Sequence, residues 1–357
     1  MSNTQGPHQL AVHRDWLRVP LGDGDHGDFH HRWLRHNCDD ERHPRTGERT
    51  RCSSELSDDL APRTAQLLPD RLELTWPDGH VSTYPIAWLR AHAYALNRVD
   101  VPAPSASLAP LELLPADRTF EERAAEALAL VRRHGAAVVR NDDSGPPEDT
   151  TAQLLLAFLA RGLRVVDTHF GHIEDLRTDN TTNANTDQLG YTDAPIGLHT
   201  DQPFLEHPPR YQLLQCIRPA DAGGDNLLAD ARTAFRHLAA HDARAADLLA
   251  TVPVRFHRKQ KNFERILDTP LVARRGDDDF LVRSSYFTLA PHRLPFAEMA
   301  EFYRAHDRFT RLLRDPSHHV HVRLERGDWL IYDNHRTLHA RTGFTGPRWL
   351  KGIYFDE

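Results

Sequence analysis

Apolar alternation at both ends of its longer half most constrains how this chain can fold. The C-terminal stretch HVHVRLERGDWLIYDNHRTLHAR (319–341) reads as two strands about a Gly-Asp turn, and RWLKGIYFD (348–356) as a last strand. Far upstream, AAVVR after Gly135 and YQLLQCIRP (211–219) read as buried strands. Helical patterns lie between. DRTFEERAAEALALVRRHG has Thr119 as N-cap, Glu121 and Glu122 in its first turn and Gly135 as C-cap. Further helices are expected over 148–161, at DARTAFRHL, from about His241, and at FAEMAEFYRAHDRFTRLLRD. Strands that must meet across such distances, with helices outside, predict a mostly β fold with flanking helices, a sandwich or barrel rather than alternating βαβ units.

Residues from about 10 to 95 read as short strands and turns. Within them DRLELTWPDGHVSTYPIAWL (70–89) forms a hairpin: Leu72, Leu74 and Trp76 alternate with polar residues before a PDG turn. DVPAPSASLAPLELLP (100–115) is Pro-, Ala- and Ser-rich and aperiodic. The expected division is a small β-rich domain over 1–99, a linker over 100–115 and a larger domain over 116–357. With 39% hydrophobic and 27% charged residues, the chain can bury a core. It shows no apolar run long enough to span a bilayer and no apolar signal core. Three widely spaced cysteines argue for a reducing compartment, so the cytoplasm is expected. A net charge of −7 offers nucleic acid no basic face.

Three His-x-Asp triplets occur: His13-Arg14-Asp15, His26-Gly27-Asp28 and His199-Thr200-Asp201. Two His and one carboxylate on one face of an iron ion leave open positions for a co-substrate and O2. Among 24 histidines such triplets arise by chance. The first two stand in polar sequence without a strand pattern. His199 and Asp201 stand at the end of a strand, and His339, about 140 residues on, closes another. These three are the candidate metal ligands and catalytic centre.

The stretches LHTDQPF, PPRYQLLQCIRPADAGGDNLLADA, YDNHRTLHARTGF and RWLKGIYFD, in that order, resemble the taurine dioxygenase superfamily of Fe(II)/2-oxoglutarate enzymes. Within it they are most similar to the γ-butyrobetaine and trimethyllysine hydroxylase branch, over nearly the whole chain. The resemblance implies a double-stranded β-helix, or jelly-roll, catalytic domain and an Fe(II)- and 2-oxoglutarate-dependent dioxygenase. Its reaction would hydroxylate an unactivated C–H of a small molecule with O2, releasing succinate and CO2. Desaturation, epoxidation or cyclisation with the same cofactors, or a non-catalytic jelly-roll binding protein, are the alternatives. Arg348 fills the position that grips the far carboxylate of 2-oxoglutarate, suited by its planar bidentate fork. Arg341 is a second cation that orients the co-substrate or supports Arg348. Asn226, after Gly-Gly-Asp, matches a small polar residue against 2-oxoglutarate.

The substrate does not transfer so readily. The branch holds a quaternary ammonium in an aromatic cage. By similarity this chain supplies Phe170, Tyr191 and Tyr354, but has Glu174 and Gln202 where relatives carry aromatics, so an incomplete cage is expected. Either Glu174 or Asp175 pairs with a protonated amine, or the segment 173–188 is a lid with solvent-facing acids. The N-terminal WLRHNCDDERHPRTGERT (33–50) resembles the branch's zinc module, which packs on a neighbouring subunit. Cys38 and His80 remain of its ligands, His43 is a substitute, and Cys52 or Asp40 a fourth. Zinc on this reduced set and a module that has lost its metal are both open, and a homodimer is expected by resemblance.

Overall fold

The computed structural model describes residues 10–22, 25–93, 113–114, 118–141, 145–178, 188–275 and 279–357. Most of the linker expected over 100–115 lies outside the described residues. Within it, Leu113–Leu114 forms a strand parallel to Ala136–Val139. Among the described residues no helix is long and apolar enough to cross a membrane.

The N-terminal region holds two three-stranded antiparallel sheets. Ala11–Val12, Trp16–Gly22 and Asp25–His30 form one; Thr64–Leu67, Arg71–Thr75 and Val81–Pro85 form the other. The alternation of Leu72, Leu74 and Trp76 buries all three fully. Two short helices, His31–His36 and Ile86–His92, occupy stretches that read as strand and turn in sequence. Neither has a side-chain cap, which is why sequence signals pass over them. Their core is not separate. Trp33, Leu34 and Leu89 share one buried cluster with Met299, Phe302 and Phe309 of the helix Phe296–Arg314.

The larger region is a jelly-roll of two facing sheets. The major sheet orders Glu174–Arg177, Trp349–Asp356, Tyr211–Arg218, Trp329–Asp333, Ala136–Val139 and Leu113–Leu114, with Arg164–Val165 also on Trp349–Asp356. The minor sheet orders Ile196–His199, Thr337–Arg341, Asn226–Asp230 and Val320–Val322. Side-chain parity divides the major sheet's two faces. Odd-numbered Tyr211, Leu213, Trp329, Ile331, Ile353 and Phe355 pack on the helices Phe120–His134 and Pro147–Leu159. Even-numbered Leu214, Cys216, Leu330, Tyr332 and Leu350 face inward, against Leu228 and Val322 of the minor sheet. Both faces are covered, so these strands read as apolar runs rather than clean alternation.

The predicted helix at Thr119 is present as Phe120–His134. Thr119 and Glu122 cap it reciprocally, and Gly135 ends it at φ +94°. The two strands expected about Gly327-Asp328 do not pair. Val320–Val322 joins the minor sheet and Trp329–Asp333 the major one, and Thr337–Arg341 is a third strand. The cause is Asp328, a buried carboxylate. It accepts from the Asn141 and Glu325 amides and from Arg140, tying the turn to the end of Ala136–Val139.

Phe158 is fully buried, edge-on to Trp329 at 5.6 Å and 5.4 Å from Phe355. Phe158→Ala is expected to lower unfolding free energy by about 3–5 kcal/mol, read from the urea midpoint at unchanged slope.

Candidate active site

His199 ends its strand directly opposite His339, and Ile196 lies opposite Arg341. Three residues thus span what two span on the partner strand: a bulge. It turns Ile196 and His199 to the same cavity, which a regular strand could not do at that spacing. The His199 Nδ1 lies 2.8 Å from the Gly197 carbonyl, which can only accept, so Nδ1 carries the proton and Nε2 keeps its lone pair. Asp201 lies beyond the strand. Its backbone is gripped at both ends by Asn334, whose Oδ1 accepts the Asp201 amide (2.7 Å) and whose Nδ2 donates to the Asp201 carbonyl (3.1 Å).

Asp201 Oδ1 is then 3.4 Å from His199 Nε2 and 3.7 Å from His339 Nε2. Burial raises the Asp201 pKa, but His339, His199 and the Tyr354 hydroxyl outweigh it and hold the carboxyl at about 2. Burial, with His199 beside it, pushes His339 down to about 3. The carboxylate is ionised and His339 neutral, the protonation state a ligand needs. Two imidazole nitrogens and one carboxylate oxygen converging beside an open cavity fit a non-haem iron with free positions.

A row of polar residues on the inward face of the major sheet orients that carboxylate. Gln212 pairs in register with Tyr332 on one side and Tyr354 on the other. The Tyr332 hydroxyl donates to Gln212 Oε1, Gln212 Nε2 donates to the Tyr354 hydroxyl (3.0 Å), and Tyr354 donates to Asp201 Oδ2 (2.8 Å). Asp201 Oδ1 is thereby left for a metal. Sequence reasoning placed Tyr354 in an aromatic cage; it lines the cavity, but its hydroxyl serves Asp201. Tyr332, Gln212 and Asn334 were missed. For Gln212 and Tyr332 the signal was a polar residue at inward parity within apolar strands; Asn334 lies just past the strand Trp329–Asp333 and carries no such signal.

Arg348 lines the same cavity and is buried. Its guanidinium has no hydrogen-bond or ion-pair partner among the described residues, only the Phe344 ring at 5.5 Å. Burial lowers its pKa to about 10, so it stays charged and lacks an anion. Gly223 and Gly224 explain the Gly-Gly motif. A Cβ on Gly223 would collide with the Gly343 carbonyl, and one on Gly224 would crowd the Arg348 Nε at 3.3 Å. Arg341 is engaged otherwise: it donates to the carbonyls of Gly190 (3.0 Å), Thr192 (2.7 Å) and Ala194 (2.6 Å), fastening that loop beneath the cavity. Asn226 lines the cavity beside it, opposite Arg341 in register.

Phe170, Glu174 and Gln202 also line the cavity. Gln202 is the only non-glycine residue at positive φ (+54°) among those described, and both atoms of its buried amide lack a partner. Tyr191 stands behind the wall, fully buried, its hydroxyl donating to Glu174 Oε1 at 2.9 Å. Glu174 is buried, against the reading of solvent-facing acids. Asp175 points the other way and accepts from the Trp349 indole at 2.6 Å. Residues 179–187 of the expected lid lie outside the described residues. Glu48 of the N-terminal region also lines the cavity, and no sequence signal marked it.

In the N-terminal region Cys38 Sγ lies 3.4 Å from His80 Nε2 and 3.6 Å from Asp40 Oδ2. His43 is not in this group; its Nδ1 accepts the Thr46 amide. Cys52 accepts from Ser54 instead. Three donors without a fourth among the described residues do not complete a closed tetrahedral zinc site. The other two His-x-Asp triplets form no metal group: His13 stacks on Trp16 and Asp28 pairs with Arg18.

This jelly-roll with two imidazoles, a carboxylate and an unpaired arginine on one cavity defines a non-haem iron dioxygenase of the 2-oxoglutarate-dependent class. Residues 110–354 match the model of the taurine catabolism dioxygenase TauD, TfdA family, and residues 9–90 that of the gamma-butyrobetaine hydroxylase-like N-terminal domain. The chain is 31% identical to a gamma-butyrobetaine dioxygenase of Pseudomonas sp. strain AK-1, over 96% of this chain and 91% of that one. It is 26% identical to the mitochondrial trimethyllysine dioxygenase of Rattus norvegicus, over 92% and 80%. The crystal structure of a taurine dioxygenase from Burkholderia xenovorans shares the fold, with a TM-score of 0.52 at 16% identity over 72% of this chain and 90% of that one. The chain belongs to the TauD, TfdA family, and is an Fe(II)- and 2-oxoglutarate-dependent dioxygenase.

Tyr354→Phe frees Asp201 Oδ2. Iron affinity is expected to fall roughly 10–100-fold, measured by anaerobic metal titration.

Proposed function

We propose that this dioxygenase hydroxylates a C–H bond of a small amine-bearing molecule, with His199, Asp201 and His339 as the iron ligands. The observation that carries the reading is the unpaired, buried Arg348 guanidinium on the cavity that holds those three side chains. A cation so placed binds the far carboxylate of 2-oxoglutarate, with Asn226 alongside. Iron and 2-oxoglutarate, when bound, supply the oxidising chemistry: one oxygen atom of O2 goes to succinate, the other to the substrate.

The chain's own residues bind and orient. The row Tyr332, Gln212 and Tyr354 fixes the Asp201 carboxylate, and Asn334 fixes its backbone. Arg341 holds the loop that floors the cavity. Phe170, Phe204 and Phe287 wall it with apolar surface and exclude water. That the substrate bears an amine is supported by the names of the relatives, one a gamma-butyrobetaine and the other a trimethyllysine dioxygenase. The buried acid Glu174 in the cavity wall also supports it.

We further propose a homodimer formed through the N-terminal module and a reducing, cytoplasmic location. The first rests on the resemblance of residues 33–50 to a module that packs on a neighbouring subunit. Three unpaired, buried cysteines support the second.

Anaerobic Fe(II) and 2-oxoglutarate should give a weak visible charge-transfer band that His199→Ala abolishes; no band and no succinate formation in the unaltered protein would sink the enzyme reading. Arg348→Gln should raise the KM for 2-oxoglutarate about 30-fold or more in a succinate-release assay.

A further inference from the structure

Glu174 is buried without a cation. Its Oε1 accepts two hydrogen bonds, from the Tyr191 hydroxyl and from Gln188 Nε2, each at 2.9 Å. Its Oε2 accepts none among the described residues. Glu174 pairs in register with Gly352, and Oε2 lies 3.8 Å from where a Cβ would stand there, on the inward face. Burial, reinforced by the Asp201 carboxylate, pushes the Glu174 carboxyl up to about 7. The wall therefore presents a half-satisfied acid that a cation would complete.

Arg258, whose charge acts on Glu174, does not ion-pair with it. Arg258 is ion-paired with Glu48 of the N-terminal module, both side chains buried. Arg258 Nη2 also donates to Gln188 Oε1 at 3.2 Å. This contact decides which end of the Gln188 amide faces Glu174: with the oxygen turned to Arg258, the NH2 must turn to Oε1. Glu48 accepts the Leu189 amide as well, so one acid from the N-terminal module holds both the arginine and the segment that carries Gln188. The outcome is a carboxylate with one oxygen fixed and the other open to the cavity.

An open carboxylate oxygen of this kind forms a short charge-assisted bond with an ammonium that has a hydrogen to give. A trimethylammonium has none, and its methyl groups hold the charge away from the oxygen; it is bound by aromatic faces instead. We propose that Glu174 is the receptor for a substrate ammonium carrying at least one N–H, and that Glu48 is a positioning residue for that receptor. This rests on the amine-bearing substrate proposed above.

The test uses the full chain with Fe(II) and 2-oxoglutarate and measures amine-stimulated succinate release. The probes are matched pairs: 4-aminobutyrate against its trimethylated form, lysine against trimethyllysine, and butylamine against butyltrimethylammonium. In each pair that stimulates turnover the N–H form is expected to be favoured in kcat/KM by roughly tenfold or more. Glu174→Gln should bring that ratio toward one. Glu48→Gln should lower it too, through KM rather than kcat, which a merely structural role would not do. Should Glu174→Gln not fold, Gln188→Ala, at a partly exposed residue, should lower the ratio in its place. Preference for the trimethylated forms, or a ratio unmoved by Glu174→Gln, overturns the receptor role; a ratio unmoved by Glu48→Gln overturns the positioning role. If no amine of either kind stimulates turnover while uncoupled succinate formation persists, the amine reading falls and this proposal with it, but the dioxygenase stands.

Discussion

Two imidazoles and a carboxylate share one point in this protein because one strand carries a residue too many. The bulge between Ile196 and His199 brings His199 level with His339 while keeping Ile196 on the same cavity. Everything else at the site is arranged around that cross-strand pair. The chain leaves the strand at once, through Thr200, whose amide donates to the Ser284 carbonyl. Asp201 is then caught by Asn334, and Gln202 takes up the left-handed turn. A strained backbone held by its surroundings at the entrance to a site is where such strain is expected to collect.

The site's electrostatics have the same economy. Within reach of one another lie an ionised carboxylate, two acids or amides with open hydrogen-bonding atoms, and an arginine without an anion. Each costs free energy to bury alone, and the roles proposed above would relieve each with a specific visitor: a metal ion, a cation, a dicarboxylate. Preorganisation here means that the protein retains unfavourable burial so that its ligands gain by relieving it.

Much of this could be read from residue order. His199, Asp201, His339 and Arg348 stand in recognisable local contexts, and the Thr119 cap and the apolar strands carry their own signals. The remainder was illegible for physical reasons. Gln212 and Tyr332 sit in apolar strands, where only their inward parity distinguishes them, and parity needs a known register. Arg341 looks like a second co-substrate clamp until the carbonyls of the loop at 190–194 are seen to occupy it. Glu48 is a single acid in a polar stretch, with its partner Arg258 about 210 residues away in sequence. His43 was a substitute metal ligand by resemblance, yet a local turn claims its ring nitrogen. Long-range pairing decided all of these cases but the last, and one chain's sequence does not encode it locally.

The contact between Glu48 and Arg258 also bears on how such enzymes diversify. Two family models divide this chain near residue 100, which suggests parts that recombination could exchange. The cavity does not respect that seam. A chimera that joined this catalytic region to an N-terminal module without an acid at this place would leave Arg258 without its partner behind the cavity wall. The shape of the cavity wall is therefore set partly by a module that contributes none of the three clustered side chains His199, Asp201 and His339.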